Sequence, residues 1–357
     1  MGVSKTVNIT PLKQKLLRAL TRSSKTLQET SAKQWTICPA ERGLVPPAIF
    51  LENDLDKITA VMEDTTLEQE MARIRGGEIE HAATIAYSIA DCELLDGSLY
   101  KSSARLPLTK QPQQLVGATV NEFIEEAALA SSYYGSFYFG HWLTDDLTLY
   151  LAAEPLAKPV IPARTPYGHE QGYLDLLNIQ AHAVTRARFG NLVIFDDFGQ
   201  NAFKRQRYQE LRTRLLNIAP ATTGARVFIR RGQQGAARAL TNATEIEHIL
   251  QSQGFHILDP ENSTVAEIVK TLSGARLVVG LEGSHMLHCI YTMAENGGIC
   301  ILQPPYRFNN VLKNYSDCLG MTYGFVTGRA CDGGFAIDTS ELLQVLDKIE
   351  RALPAHF

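Results

Sequence analysis

From Val227 onward the chain alternates short apolar runs with capped helical segments, and no other feature constrains its fold as strongly. Val227-Phe228-Ile229 reads as a strand, Thr244-x-x-Glu247 as a capping box opening a helix that closes at Gly254, and His256-Ile257-Leu258 as the next strand. Thr264-x-x-Glu267 opens a second helix that stops near Gly274; Ala275 to Gly280 then reads as a strand, Ser284 to Glu295 as a helix and Ile299 to Leu302 as a strand. Strands separated by helices pair in parallel through crossovers rather than as hairpins. The expectation is a Rossmann-like α/β domain over about residues 225–335. A final helix, Glu341 to Ala352, has Leu342, Leu343, Val345, Leu346 and Ile349 as its apolar side.

The first half is less regular. Val45 to Leu51 and Ala83 to Ile89 read as strands, Leu192 to Phe195 as a short buried strand, Gln200 to Asn217 as an Arg-rich helix and Pro220-Ala221-Thr222-Thr223-Gly224 as a hinge. A length of 357 residues suits about two domains. The boundaries drawn are a basic amphipathic segment over 1–35, a first domain over 36–220, a second over 221–338 and a C-terminal helix over 339–357 that packs back on the first domain.

With 45% hydrophobic and 20% charged residues the chain is neither disordered nor fibrous. A net charge of -4 and the lack of a basic, aromatic-interleaved motif exclude a general nucleic-acid binder. The six cysteines (Cys38, Cys92, Cys289, Cys300, Cys318 and Cys331) form no C-x-x-C pair, which points to reduced thiols in a cytoplasmic protein. No apolar run is long enough to span a bilayer, and the start lacks a signal-peptide core. Within 12–25, Leu12, Leu16, Leu17 and Leu20 share a helical stripe among Lys13, Lys15, Arg18, Arg22 and Lys25. The commoner use of such a stripe is docking on the protein's own body; the alternative is contact with an anionic membrane surface.

Two glycine-hinged polar clusters carry the chemistry. In Gly280-Leu281-Glu282-Gly283-Ser284-His285-Met286-Leu287-His288 a strand ends in glycine and a helix begins, which directs free backbone N–H groups and the positive helix end at one spot. That is an anion site. Arg231 and Arg238 follow the first strand of the same domain, on the sheet edge where all strand ends lie, and their forks suit a diphosphate. Glu282 would repel a phosphate and suits hydroxyls or a histidine instead. In Gly140-His141-Trp142-Leu143-Thr144-Asp145-Asp146, His141 and Asp145 are four apart on a helix and share a face, an arrangement that can take a proton from a hydroxyl. The aromatic run Tyr133, Tyr134, Phe137, Tyr138 and Phe139 suits sugar stacking or core packing.

The order Gly140-His141-Trp142-x-x-Asp145, then Arg231 with Arg238 and Asn242, then Gly280-x-x-Gly283-Ser284 ending at His288, then Gln303-Pro304-Pro305, resembles glycosyltransferase family 61 over about residues 130–330, in particular its bacterial polysaccharide-biosynthesis members. The resemblance implies a GT-B fold, two Rossmann-like domains facing across a cleft. It also implies metal-independent, inverting transfer from a nucleotide-diphosphate sugar, with no other cofactor, to a glycan or lipid-linked glycan acceptor. By position, Asp145 or His141 would be the base, Arg231 and Arg238 would hold the diphosphate, and Gly283 with Ser284 would cradle it. Glu282, His285, His288 and Asn242 are the candidate contacts for donor sugar or nucleotide, and Tyr138 and Trp142 for stacking on a sugar. The chain departs from many relatives, which carry histidine in place of Glu282, asparagine in place of His288 and Asn-Glu where Asn242-Ala243 stands. Asp54-Leu55-Asp56, the only D-x-D, lies outside any strand end and makes a poor metal site. The expected location is the cytoplasm, with the inner membrane face as a peripheral site. A nucleotide-sugar epimerase or hydrolase and a non-catalytic carbohydrate-binding protein are the alternatives.

Overall fold

The computed structural model describes residues 8–21, 25–110, 113–116, 119–219, 224–232 and 238–354. Pro220 to Thr223 of the expected hinge and Arg22 of the basic segment lie outside them. The chain divides into two compact units, Met1–Ala40 with Ala82–Arg207, and Glu41–His81 with Tyr208–Phe357. The units are thus interleaved along the chain, where the sequence reading drew consecutive domains.

The first unit is built on an eight-stranded sheet of mixed direction. Its long strand Thr84–Leu95 pairs antiparallel with Lys33–Cys38, Ser98–Lys101 and Arg186–Asp196, whereas Glu122–Leu129, Lys158–Pro162 and His182–Val184 continue from Arg186–Asp196 in parallel. This differs from the second Rossmann-like domain expected here, and at one of these pairings the reason is local. Asp96 and Gly97 both take positive φ (47° and 79°) in a two-residue turn that pairs Leu95 with Ser98. Such a turn joins antiparallel strands only, because a parallel crossover needs a dozen residues or more. The unit's core includes Ile89, Leu94, Leu99, Phe189 and Leu192.

The second unit holds the expected parallel sheet, and the α/β class holds with it. Its strands are β1 (Arg226–Ile229), β2 (Phe255–Leu258), β3 (Leu277–Leu281), β4 (Gly298–Gln303) and β5 (Thr322–Thr327), in the order β2-β1-β3-β4-β5 with every neighbour parallel. The chain reverses direction of winding between β1 and β3, the switch point at which ligands bind in doubly wound sheets. Thr264 and Glu267 form the reciprocal capping box expected of them. Thr244 and Glu247 do not: Asn242 takes the cap position of Ala243–Ser252 two residues earlier, and Glu247 is drawn to Arg230 at 2.7 Å. The segment after Gly283 is a 3-10 helix, Ser284–Tyr291, rather than an α-helix reaching Glu295. Residues 286–293 are buried without interruption, so this stretch lacks the polar face of an amphipathic α-helix.

The segment expected to form a strand at Val45–Leu51 stops at Val45, because Pro46 and Pro47 have no N–H to donate. Beyond them Ile49 bridges Gly324 on β5, with its N–H donating to Tyr323 O at 2.9 Å. The C-terminal helix Thr339–Ala352 packs on the second unit's own sheet, which corrects the expected return to the first domain. A Cβ on Gly298 or Gly324 would sit 2.6 or 2.7 Å from Ile349, so these glycines are what let the helix approach β4 and β5. Ile349→Ala is expected to leave a cavity there and to destabilise the unit by about 2–5 kcal/mol, read as a lowered urea midpoint.

Candidate functional site

Each unit carries one of the two clusters. In the second unit, the register pairs Ile229 with Gly280, so Arg230 and Arg231 leave β1 beside Leu281 and Glu282 at the end of β3. Gly283 follows with φ 152°. A Cβ on it would lie 2.3 Å from Arg231 Nη1 and 2.9 Å from Arg238 Nη1, so the guanidinium groups close on the bare glycine backbone and would have to shift for a side chain. Arg238 Nη1 donates to Glu282 O at 2.9 Å and Arg231 Nη1 to the same oxygen at 3.4 Å. Arg230 is occupied elsewhere, paired with Glu247.

Glu282 gathers the cluster. Arg238 Nε lies 2.9 Å from its Oε2 without an aligned hydrogen bond, Arg307 Nη1 donates to Oε2 at 3.1 Å, and Asn309 Nδ2 donates to Oε1 at 3.1 Å. Three guanidinium groups around one carboxylate leave a surplus of positive charge. Burial pushes Arg238 down to about 10, only partly offset by Glu282, and burial likewise lowers Arg231. Both still remain cations at neutral pH. Burial, with Arg231, His288 and Arg238 nearby, holds His285 well below the ordinary histidine range, so its ring is neutral; its Nε2 is buried with no hydrogen-bond partner among the described residues.

Not every expected contact reaches this spot in the same way. Ser284 opens the 3-10 helix and is half-buried. His288 is 2% exposed and sits in the unit's interior. Asn242 is committed to Ile337, donating to its O at 2.9 Å and accepting from its N at 3.1 Å. Arg307 and Asn309 come from the loop after β4 and were not among the expected residues; the signal for them was their position just beyond Gln303-Pro304-Pro305. The D-x-D is structural: Asp54 is fully buried and accepts from Leu51 N, Thr327 N and Lys57 Nζ.

In the first unit, Gly140 lies inside a continuous helical run in which Phe139–His141 and Leu147–Ala153 flank a π-helical stretch, Trp142–Asp146. Such π turns recur at functional sites. The expected pair is formed: His141 Nδ1 and Asp145 Oδ2 are 2.8 Å apart, with side chains 28% and 22% exposed. Asp145 also accepts from Lys204 Nζ at 3.3 Å. Lys204 is wholly buried, and its Nζ reaches Asp197 Oδ2 at 3.0 Å, while Arg207 grips Asp197 with two N–H groups at 2.7 and 2.9 Å. Burial alone would raise Asp145, but Lys204 and His141 outweigh it and hold the carboxyl below its usual range. The same contest, won by Lys204 and Arg207, brings Asp197 to about 2.

Lys204, Asp197 and Arg207 were not anticipated. Their one sequence signal is that Lys204 continues the apolar stripe of Tyr208, Leu211 and Leu215, where a charge has no place unless it is paired inside. Of the aromatic residues, Tyr134 has its ring 5.3 Å from His141 and Tyr138 6.0 Å, both tilted. Trp142 is 4% exposed and packs on Phe139 and Tyr173, so its ring serves the core rather than a surface.

Asp146 has a different part. It accepts from Ser132 N and Oγ at 2.8 Å and from Ser131 Oγ at 3.1 Å, and a Cβ at Gly135 would meet its Oδ1 at 2.1 Å. It thereby holds the turn that presents Tyr134 to His141. Burial raises its carboxyl from 3.8 to about 7 despite the serines. A carboxyl raised on folding is unpenalised below its unfolded pKa and destabilises as pH rises through the folded one. Against the uncharged Asp146→Asn variant, wild type is therefore expected to lose about 2–3 kcal/mol of stability between pH 5 and pH 8, read from paired urea titrations. A constant difference would mean that Asp146 titrates normally.

No curated protein matches this chain. Residues 139–300 match the family model Glycosyltransferase 61, a span that opens at the helix carrying His141, contains Asp145, Lys204, Arg231, Arg238 and Gly283, and ends within β4. This match over both clusters supports glycosyltransferase family 61, and with it glycosyltransferase activity.

Proposed function

We propose that the protein transfers a sugar from a nucleotide-diphosphate sugar to a hydroxyl of a glycan or glycolipid acceptor, with inversion and without a metal. The observation that carries this reading is the convergence of Arg231, Arg238 and Arg307 on the Gly283 turn at the switch point of a parallel sheet. Fixed cations at that place suit a diphosphate, and they would stabilise the charge that grows on it as it departs. Protein groups then supply what a divalent ion supplies elsewhere.

The hydroxyl proton goes to His141 in this reading. Asp145 was the equal candidate, but a carboxylate bonded to both Lys204 and His141 and held below its usual range has little basicity left. Its part is to orient the imidazole and to stabilise the imidazolium that forms, the division of labour seen wherever a buried carboxylate backs a histidine base. The acceptor oxygen attacks the anomeric carbon, the bond to the diphosphate breaks, and the leaving electron pair stays on the phosphate oxygen. Tyr134, half-exposed beside His141, offers a face for a sugar ring.

Two outcomes follow. Arg238→Ala and Arg307→Ala are each expected to weaken binding of a nucleoside diphosphate by about 1.5–3 kcal/mol in calorimetry, and affinity unchanged in both would put the diphosphate elsewhere. His141→Ala is expected to lower the transfer rate on the order of 100-fold or more while leaving donor affinity nearly intact, with Asp145→Asn lowering it less. Donor turnover that proceeds equally without any acceptor would favour a hydrolase or epimerase instead.

A further inference from the structure

The N-terminal helix Thr10–Thr21 turns Pro11 and Gln14 to the protein and Leu16, Leu17 and Leu20 to the outside. Pro11 and Gln14 are its buried residues. Gln14 donates from Nε2 to Ser103 O at 2.8 Å and accepts at Oε1 from Gln113 Nε2 at 3.4 Å. Leu16, Leu17 and Leu20 are 54%, 40% and 80% exposed. At about 100° per residue, Leu12, Leu16, Leu17 and Leu20 span the side opposite Pro11 and Gln14. A surface helix ordinarily buries its apolar stripe, so the docking expected of these leucines is reversed: the helix is docked, by its other side.

The charge of the segment says what covers the leucines. Residues 10–25 contain five basic side chains and no acidic one, on a chain whose net charge is -4. Lys13, Lys15, Arg18 and Lys25 are all exposed. Two copies meeting through this side would bring like charges together, which disfavours self-association. We propose that the helix lies on an anionic lipid surface, with Leu16, Leu17 and Leu20 in the acyl boundary and Lys13 and Lys15 among the headgroups. Lys13, which falls within the leucine side, reaches the headgroups by extending its stem. The proposal does not depend on the assignment of donor or base.

The test is co-sedimentation of the full chain with vesicles of phosphatidylcholine alone or containing phosphatidylglycerol. Binding is expected only to the anionic vesicles and is expected to weaken in high salt. Lys13→Gln with Lys15→Gln should lower the partition about five-fold for each charge removed. Leu16→Gln, Leu17→Gln and Leu20→Gln together should lower it at least about ten-fold, and their exposure leaves the fold intact, which circular dichroism checks. No binding to anionic vesicles, or a triple leucine variant that binds like wild type, overturns the proposal. So does a dimer in light scattering that the triple variant splits while vesicles bind neither protein, an outcome that gives the leucines to a second copy.

Discussion

An ammonium group with no exposed surface, that of Lys204, fixes the first cluster. Taking it out of water costs several kcal/mol, and the cost is offset only because Asp197 and Asp145 both lie within 3.3 Å of its Nζ. Arg207 in turn completes Asp197, so two cations and two carboxylates balance inside the unit. Removal of any one member would strand a buried charge, typically a loss of about 3–5 kcal/mol. Asp145 also bonds His141, and the imidazole is therefore held by an anion whose own place is set from below.

The two clusters differ in how their charges sum. Around Lys204 the signs cancel, and the partly exposed imidazole of His141 stands at the edge of that balanced group, bonded to Asp145. Around Gly283 three arginines face one glutamate, and the surplus positive charge is what an anionic ligand would meet. Glu282, which looks misplaced beside a phosphate, acts here as the organiser of two of those arginines and of Asn309. Its own charge is already spent on them.

Much of the second unit could be read from the chain because its signals are local. Parallel strands buried on both faces show as short apolar runs, and the box at Thr264 and the glycines at 254 and 274 mark helix ends through bonds and φ values that span only a few residues. The pair His141 and Asp145 was legible for the same reason, four residues apart on one helical face. The mixed sheet of the first unit was less legible: the Asp96-Gly97 turn, with both φ values positive, marks one antiparallel hairpin locally, but the antiparallel pairing of Thr84–Leu95 with Arg186–Asp196 joins segments about 90 residues apart.

What the sequence by itself determined is the α/β class, the parallel sheet from β1 to β5, the glycine turn with Arg231 and Arg238, and the histidine–aspartate pair. What only the tertiary structure decided are the partners brought from far along the chain: Lys204 beneath Asp145, Arg307 and Asn309 on Glu282, and residues 41–81 joined to the second unit through Ile49 and β5. It also decided which side of the N-terminal helix faces the protein. The physical reason is one of range. Caps, turns and helical faces are set by bonds between residues a few positions apart, whereas the pairing of a buried charge depends on which distant group shares its low-dielectric surroundings, and that is fixed only when the chain has packed.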